Sequence, residues 1–201
     1  HIDHLAALGS LIHQLWLDTV LSQPRENRRT HAIKIYGCAD ALASVNRLLR
    51  ALDLYSHPGM FPITLLEVSE RDAAIDIEGQ VFDLFPVDHN GVECYGLRVQ
   101  GAEAALVYSA DTAPLETVFD QLEAGDILIH ECNHTGDADQ PGHTSLSALK
   151  SRLQKLDKLR ACYLVHLPVM DDGQERAVQQ DLDHWDIQPV FLAPEGGSIS
   201  Y

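Results

Sequence analysis

Residues 105–112 read Ala105-Leu106-Val107-Tyr108-Ser109-Ala110-Asp111-Thr112. An unbroken apolar run of this length predicts a short strand covered on both faces, and the polar turn after it sets a carboxylate at the strand's carboxyl end. The device recurs downstream. Asp126-Ile127-Leu128-Ile129 runs into His130-Glu131, and Ala161-Cys162-Tyr163-Leu164-Val165 runs into His166. Helical spacing fills the intervals at 115–122 and 145–156, and after His166 a helix over 173–182 leads to a closing strand over 188–192. Strand and helix in alternation predict a parallel sheet with helices packed on it, and such sheets bind ligands at the carboxyl ends of their strands.

Upstream the spacing changes. Strand-like stretches at 63–68, 80–87, 93–99 and 104–109 are divided by the turn pairs Glu78-Gly79, Asn90-Gly91 and Gln100-Gly101, which predicts a meander. The chain opens with amphipathic helices over 5–21 and 39–52, with a strand over 32–37 between them. Leu42, Val45, Leu48, Leu49 and Leu52 line one face of the second helix. The expected class is therefore α/β, in layers. No repeat, low-complexity tract or linker divides it, so residues 1–201 are expected to form a single domain.

Composition narrows the function. The 201 residues carry 14 Lys+Arg against 30 Asp+Glu, a formal charge of −16. Such a surface repels nucleic acid and anionic lipid unless cations are gathered locally. No apolar run approaches the roughly 18 residues of a membrane helix. Cys38, Cys94, Cys132 and Cys162 form no C-x-x-C pair, which argues against a zinc knuckle and for buried thiols in a reducing, cytoplasmic compartment. The chain begins without methionine inside a run of candidate ligands, which predicts a fragment or a trimmed chain.

The eleven histidines carry most of the chemical signal. His1, Asp3 and His4 precede the first helix. His89 ends the strand containing Pro86-Val87-Asp88, and Asp111, His130-Glu131 and His166 end three others. A single strand-end histidine usually serves structure. Five segments bringing imidazole or carboxylate to one sheet edge have the layout of a multinuclear metal site. Neutral imidazole and carboxylate suit zinc and related divalent ions that keep exchangeable water, and a water held between two ions ionises near neutral pH.

The ordered series His1-x-Asp3-His4, Val87-Asp88-His89, Cys94-Tyr95-Gly96-Leu97-Arg98, Tyr108-Ser109-Ala110-Asp111-Thr112, Ile129-His130-Glu131, Gly142-His143-Thr144-Ser145 and Leu164-Val165-His166 resembles the metallo-β-lactamase fold superfamily. Within it, the series is most similar to the RNase Z branch, because Gly142-His143-Thr144 follows Asp111 where glyoxalase-type members place that tripeptide earlier. The resemblance implies an αββα sandwich whose first half-sheet is incomplete here, since a further motif histidine and its strands would precede His1. It implies two divalent ions, zinc foremost, with manganese or iron admitted. His1 and His89 would hold one ion, Asp3, His4 and His166 the other, and Asp111 would bridge them. Asp3 would also orient or deprotonate the attacking water. His143, with Glu131 beside it, would protonate the leaving oxygen. Ala110 departs from the family's glycine.

RNase Z enzymes grip tRNA with an arm inserted between the Tyr-Gly-x-Arg strand and the strand ending in the bridging aspartate. Here Gln100-Gly101-Ala102-Glu103 joins those strands directly. The resemblance is then to armless phosphodiesterases, the anti-Pycsar cyclic nucleotide phosphodiesterases among them. It implies hydrolysis of a small anionic phosphodiester, a cyclic nucleotide as the candidate, by metal-bound hydroxide. A tRNA 3′-processing endoribonuclease is the alternative, and a metal-poor scaffold subunit is the non-enzymatic one. A homodimer is expected. Residues 133–142 and 57–61 are expected to supply parts of the pocket. His57, Met60 and Phe61 are candidate base contacts, a turn with a buried Phe being the commoner meaning of that segment, and His134 reads as an exposed loop residue. The basic cluster Lys150/Arg152/Lys155/Lys158/Arg160 reads as a solvated helix face paired with Asp157, and Arg25/Arg28/Arg29 as a loop.

Overall fold

The computed structural model describes residues 2–69, 72, 74–136, 140–186 and 189–193, with side chains from residue 5 onward. The chain divides into two compact units, residues 1–71 and 72–201. Among the described residues no helix is long and apolar enough to cross a membrane.

In the first unit, α1 (Ile2–Trp16) continues into one π-helical turn, Leu17–Leu21. β1 (Ile33–Gly37), α2 (Ala39–Ala51) and β2 (Ile63–Glu67) follow, and β1 pairs with β2 in parallel, Ile35 opposite Leu65. Ile12, Trp16, Val20, Val45, Leu49, Leu54 and Phe61 form the core. Burial of each large side chain contributes about 1.5–3 kcal/mol. Phe61 therefore packs inside, as its turn context predicts. The apolar face of α2 is narrower than its spacing suggests, because Leu52 lies beyond the helix end and is exposed.

The second unit is a seven-stranded sheet in sequential order. β3 (Ala74–Ile77), β4 (Gln80–His89), β5 (Val92–Gln100) and β6 (Ala105–Tyr108) are antiparallel neighbours. β7 (Ile127–Glu131), β8 (Ala161–Val165) and β9 (Val190–Leu192) continue in parallel, so the meander gives way to crossovers at β6. The crossovers carry α3 (Glu116–Phe119), α4 (Leu146–Leu153) and α5 (Asp172–Asp183). β3 is a four-residue edge strand, Ala74-Ile75-Asp76-Ile77, too short for its alternation to register as a strand in the sequence.

Local chemistry explains the boundaries. The Ser145 side chain caps α4 by accepting from Ala148 N at 3.2 Å, and Asp171 with Gln174 forms a capping box on α5. α3 stops after four residues, well short of the expected 115–122, because Gln121 and Leu122 turn back in tight i to i−3 bonds. α4 likewise ends before the basic cluster does. Arg152 pairs with Glu116, Arg160 with Glu103 at 3.0 Å, and the Lys150 ammonium lies 4.9 Å from the Trp185 ring centre. Three of the five members thus have acidic or aromatic partners, and Lys155, Lys158 and Arg160 lie beyond the end of α4.

Two residues of the Tyr95-Gly96-Leu97-Arg98 stretch have structural work. Gly96 faces Phe85 across the β4–β5 ladder, and a Cβ there would sit 2.3 Å from the Phe85 ring. Arg98 donates to the Gln121 carbonyl at 3.1 Å and stands 3.6 Å from Asp126, whose carboxylate also accepts from Ala105 N and Glu123 N at 3.0 Å each. That lattice ties the ends of β5, β6 and β7 together at the edge away from the candidate ligands. Around it Val107, Leu128, Leu149, Leu153 and Leu164 are fully buried.

Candidate metal centre

Each ligand candidate of the second unit is placed by a backbone device at a strand end. β4 and β5 are joined by a two-residue turn in which Asn90 (φ 54°) and Gly91 (φ 78°) are both left-handed. That geometry matches the twist of a hairpin and favours the Asn-Gly pair. His89, just before the turn, is buried, and its Nδ1 donates to the Gly142 carbonyl at 2.8 Å. A carbonyl only accepts, so this bond fixes the tautomer and leaves the acceptor lone pair on Nε2. Gly142 itself must be glycine. Its φ is +77°, and a Cβ would lie 2.8 Å from Asn90 N.

After β6 the chain turns through Ala110 at φ 53°, the position where the resembled motif has glycine. Ser109 N bonds to Ile129 O at 3.0 Å and Ser109 Oγ accepts from Glu131 N at 3.1 Å, so the turn is sewn to β7. Asp111 is thereby buried, with Oδ2 3.6 Å from His166 Nε2. His166 follows β8 at φ 53°, a second left-handed residue without glycine's freedom. Such backbone costs about 1–2 kcal/mol each and gathers at functional sites.

Glu131 organises the centre. Its Oε1 accepts from Thr112 N at 3.2 Å, from Thr144 N at 2.9 Å and from His143 Nδ1 at 3.2 Å, and its Oε2 from Asn133 N at 2.9 Å. One carboxylate thus binds the Asp111–Thr112 turn, the start of the 133–142 loop and the His143–Thr144 segment. Burial outweighs these donors and pushes its carboxyl up to about 7. Thr144 Oγ1 closes the lattice by donating to the Thr112 carbonyl at 2.8 Å.

His130, one residue earlier, faces the other side of the sheet, as strand alternation requires. It is fully buried and stacked on Phe119, with ring centroids 5.6 Å apart. Nδ1 contacts the Glu131 carbonyl at 2.6 Å, and Nε2 has no hydrogen-bond partner among the described residues. Burial holds it neutral, with its pKa lowered to about 4. Of the His130-Glu131 pair, only the glutamate reaches the centre.

His89, Asp111 and His143 each offer a ligand atom, all within 4.8 Å of one another. The His89 and His143 rings meet edge to face at 4.8 Å, and the His143 and His166 rings stack at 5.5 Å. Two imidazoles and a buried carboxylate fit a divalent ion of the zinc type. Sequence reasoning gave His143 a proton-donor's part, and proximity to Gly142 and Glu131 is what brings it into the ligand cluster. Of the remaining expected ligands, His1 lies outside the described residues, and Asp3 and His4 are described only as backbone of α1. His134 is not the exposed loop residue its sequence context predicts. It is half-buried and forms a β-bridge to Ser145, its carbonyl accepting from Leu146 N at 2.8 Å.

A strand-end cluster of histidine and aspartate on this sheet is the hallmark of one class of protein. A family model for the beta-lactamase superfamily domain matches residues 1–167, and the chain belongs to that family. Ribonuclease Z of Mycobacterium sp. (strain KMS) is 31% identical over 141 residues, covering 65% of this chain and 46% of that protein. The chain spans about half the length of the curated relatives it matches. Two solved structures share the fold. The metallo-beta-lactamase fold protein YhfI from Bacillus subtilis superposes with a TM-score of 0.69 at 20% identity, over 96% of this chain and 72% of its own. A diphosphatase from the PhnP family gives 0.65 at 16% identity, over 96% and 65%. The fold is thus metallo-β-lactamase-like. It implies divalent metal binding, for which His89, Asp111 and His143 form a possible site.

Proposed function

We propose that this protein is a divalent-metal-dependent phosphodiesterase acting on a small anionic phosphodiester, with cyclic nucleotides as the candidate substrates. The observation that carries the reading is the His89–Asp111–His143 cluster, with His89 and Asp111 buried and His143 held by Glu131. In the proposal, His1 and His89 would hold one divalent ion, zinc in the first instance, Asp3, His4 and His166 would hold a second, and Asp111 would serve both. When bound, such ions acidify a water and neutralise charge developing on phosphoryl oxygens. The chain's own residues supply order. Gly142 aims His89, the Ala110 turn delivers Asp111, and Glu131 fixes His143 through Nδ1 so that Nε2 is the atom that can carry a proton to the leaving oxygen. Asp3 is proposed to orient the attacking water.

Size selection rests on the β5–β6 connection. Gly101 N bonds to Ala104 O at 2.9 Å, so the strands meet in a tight turn with no room for a tRNA-gripping arm. The charge of −16 also disfavours a polyanionic partner. The ribonuclease Z relatives favour a second reading, cleavage of tRNA precursors, and a homodimer belongs to either. The test measures bound metal and hydrolysis of bis-p-nitrophenyl phosphate, cyclic mononucleotides and a tRNA precursor. About two ions per chain with turnover of the small diesters alone supports the proposal. Cleavage of the precursor supports the second reading, and unchanged turnover by Asp111→Ala overturns both.

A further inference from the structure

The first unit has a histidine pair to which the proposed metal chemistry gives no part. His13, exposed on α1, and His57, half-buried just after the short helix Leu54–Ser56, line one cavity of about 270 Å³ with Gly9, Ser10, Leu52 and Leu54. Their rings stand edge to face with centroids 5.5 Å apart and planes at 89°. We propose that His13 and His57 form a second binding site, separate from the metal centre, for a single divalent transition-metal ion.

The ring separation is the first argument. An ion about 2.0–2.1 Å from an imidazole nitrogen lies about 3.2 Å from that ring's centre, so two imidazoles at a tetrahedral angle have centres about 5.2 Å apart. The observed 5.5 Å is met by a trigonal opening or a small rotamer adjustment. The second argument is tautomeric. His57 Nδ1 lies 3.0 Å from the Asp53 carbonyl, so Nδ1 carries the hydrogen and Nε2 the lone pair, as in an imidazole prepared for ligation. The third is rigidity. Trp16 stacks on His13 at 5.6 Å, meets His57 edge-on at 4.9 Å, and donates from Nε1 to the Pro58 carbonyl at 3.2 Å, so one indole supports both rings. Ser10, one helical turn before His13, adds a hydroxyl on the same cavity wall. Two imidazoles without thiolate suit nickel, copper or zinc, with water completing the shell. His13 is nine residues beyond His4 on α1, roughly 13 Å along the axis, which keeps this site apart from the proposed catalytic ligands.

Trp16 supplies a readout that needs no activity. Ni²⁺ quenches indole emission at contact range, and the chain has two tryptophans, Trp16 and Trp185. Ni²⁺ is titrated into the full chain and into the His13→Gln, His57→Gln and Asp111→Asn variants, with circular dichroism confirming each fold. Saturable quenching is expected in the parent and in Asp111→Asn. It should weaken about tenfold or more when either histidine is replaced, and vanish in Trp16→Phe, where emission comes from Trp185 alone. Quenching that survives His13→Gln and His57→Gln together, or that is lost in Asp111→Asn, overturns the proposal without touching the phosphodiesterase reading.

Discussion

Replacing His130 with leucine should make the protein less sensitive to acid. The imidazole is fully buried, and burial lowers its pKa from 6.5 to about 4. The folded state therefore keeps it neutral over a range in which the unfolded chain takes up a proton. A base with a depressed folded pKa contributes stability that is present above 6.5 and is lost as pH falls toward 4. At about 1.4 kcal/mol per pH unit the loss is roughly 3 kcal/mol. His130→Leu abolishes that loss, keeps nearly the same volume and retains contact with Phe119. It gives up the contact between Nδ1 and the Glu131 carbonyl, a pH-independent cost of about 1 kcal/mol. Loss of the buried, unpartnered Nε2 is a gain of similar size, so relative to its standing at pH 8 the variant should gain about 2–3 kcal/mol on the parent near pH 4.5. Glu131 titrates with the opposite sign. Its carboxyl is raised from 4.5 to about 7, so its contribution is present below 4.5 and fades as pH rises through 7. The parent-minus-variant difference removes that background. Urea unfolding of metal-free protein, followed by circular dichroism at five pH values from 4.5 to 8, measures the difference. A gap that stays constant with pH would refute a buried neutral His130.

Other positions test the same construction. Glu131→Gln places an amide among four donors, three of them backbone N–H groups, and should destabilise the chain by about 1–3 kcal/mol in thermal or urea melts while lowering metal affinity. Gly142→Ala should weaken metal binding by about 10- to 100-fold in equilibrium dialysis, because its Cβ would press on Asn90 N and shift the carbonyl that orients His89. Ala110→Gly should raise stability by up to about 1 kcal/mol, since φ 53° suits glycine and strains alanine; no gain in melting temperature would mean the turn is relaxed. His143→Ala separates two roles, because a nitrogen bound to an ion carries no proton. Loss of bound metal assigns His143 as a ligand, while metal retained with kcat lost assigns it as the proton donor.

How far the sequence could be read depended on which physical signal each residue left. β8 matches its predicted limits residue for residue because Ala161–Val165 is a buried run closed by a polar residue. His89, Asp111 and His166 stood out for the same reason: each interrupts apolar spacing at a strand end. His130 and Glu131 could not be separated in that way. Both are polar residues at the end of one strand, and only the phase of the pleat turns one against Phe119 and the other toward Thr112, Asn133, His143 and Thr144. Nor does the sequence show that a single carboxylate gathers three loops, since its partners are mostly backbone amides, which leave no residue-type signature. Glycine told half the story at the turns. Gly142 and Gly91 mark left-handed backbone by their identity, but Ala110 and His166 adopt the same region in silence. Those two non-glycine positions, both half-buried, flank the buried aspartate. Strain of this kind is tolerated where the surrounding lattice over-determines the backbone, and here the lattice is visible: Ser109 anchored to Ile129 and Glu131 on one side, and β8 paired along its length with β7 on the other. The site is therefore stiff because of the sheet beneath it, and a substitution that loosens Ser109 should disturb Asp111 more than one made in the loop above.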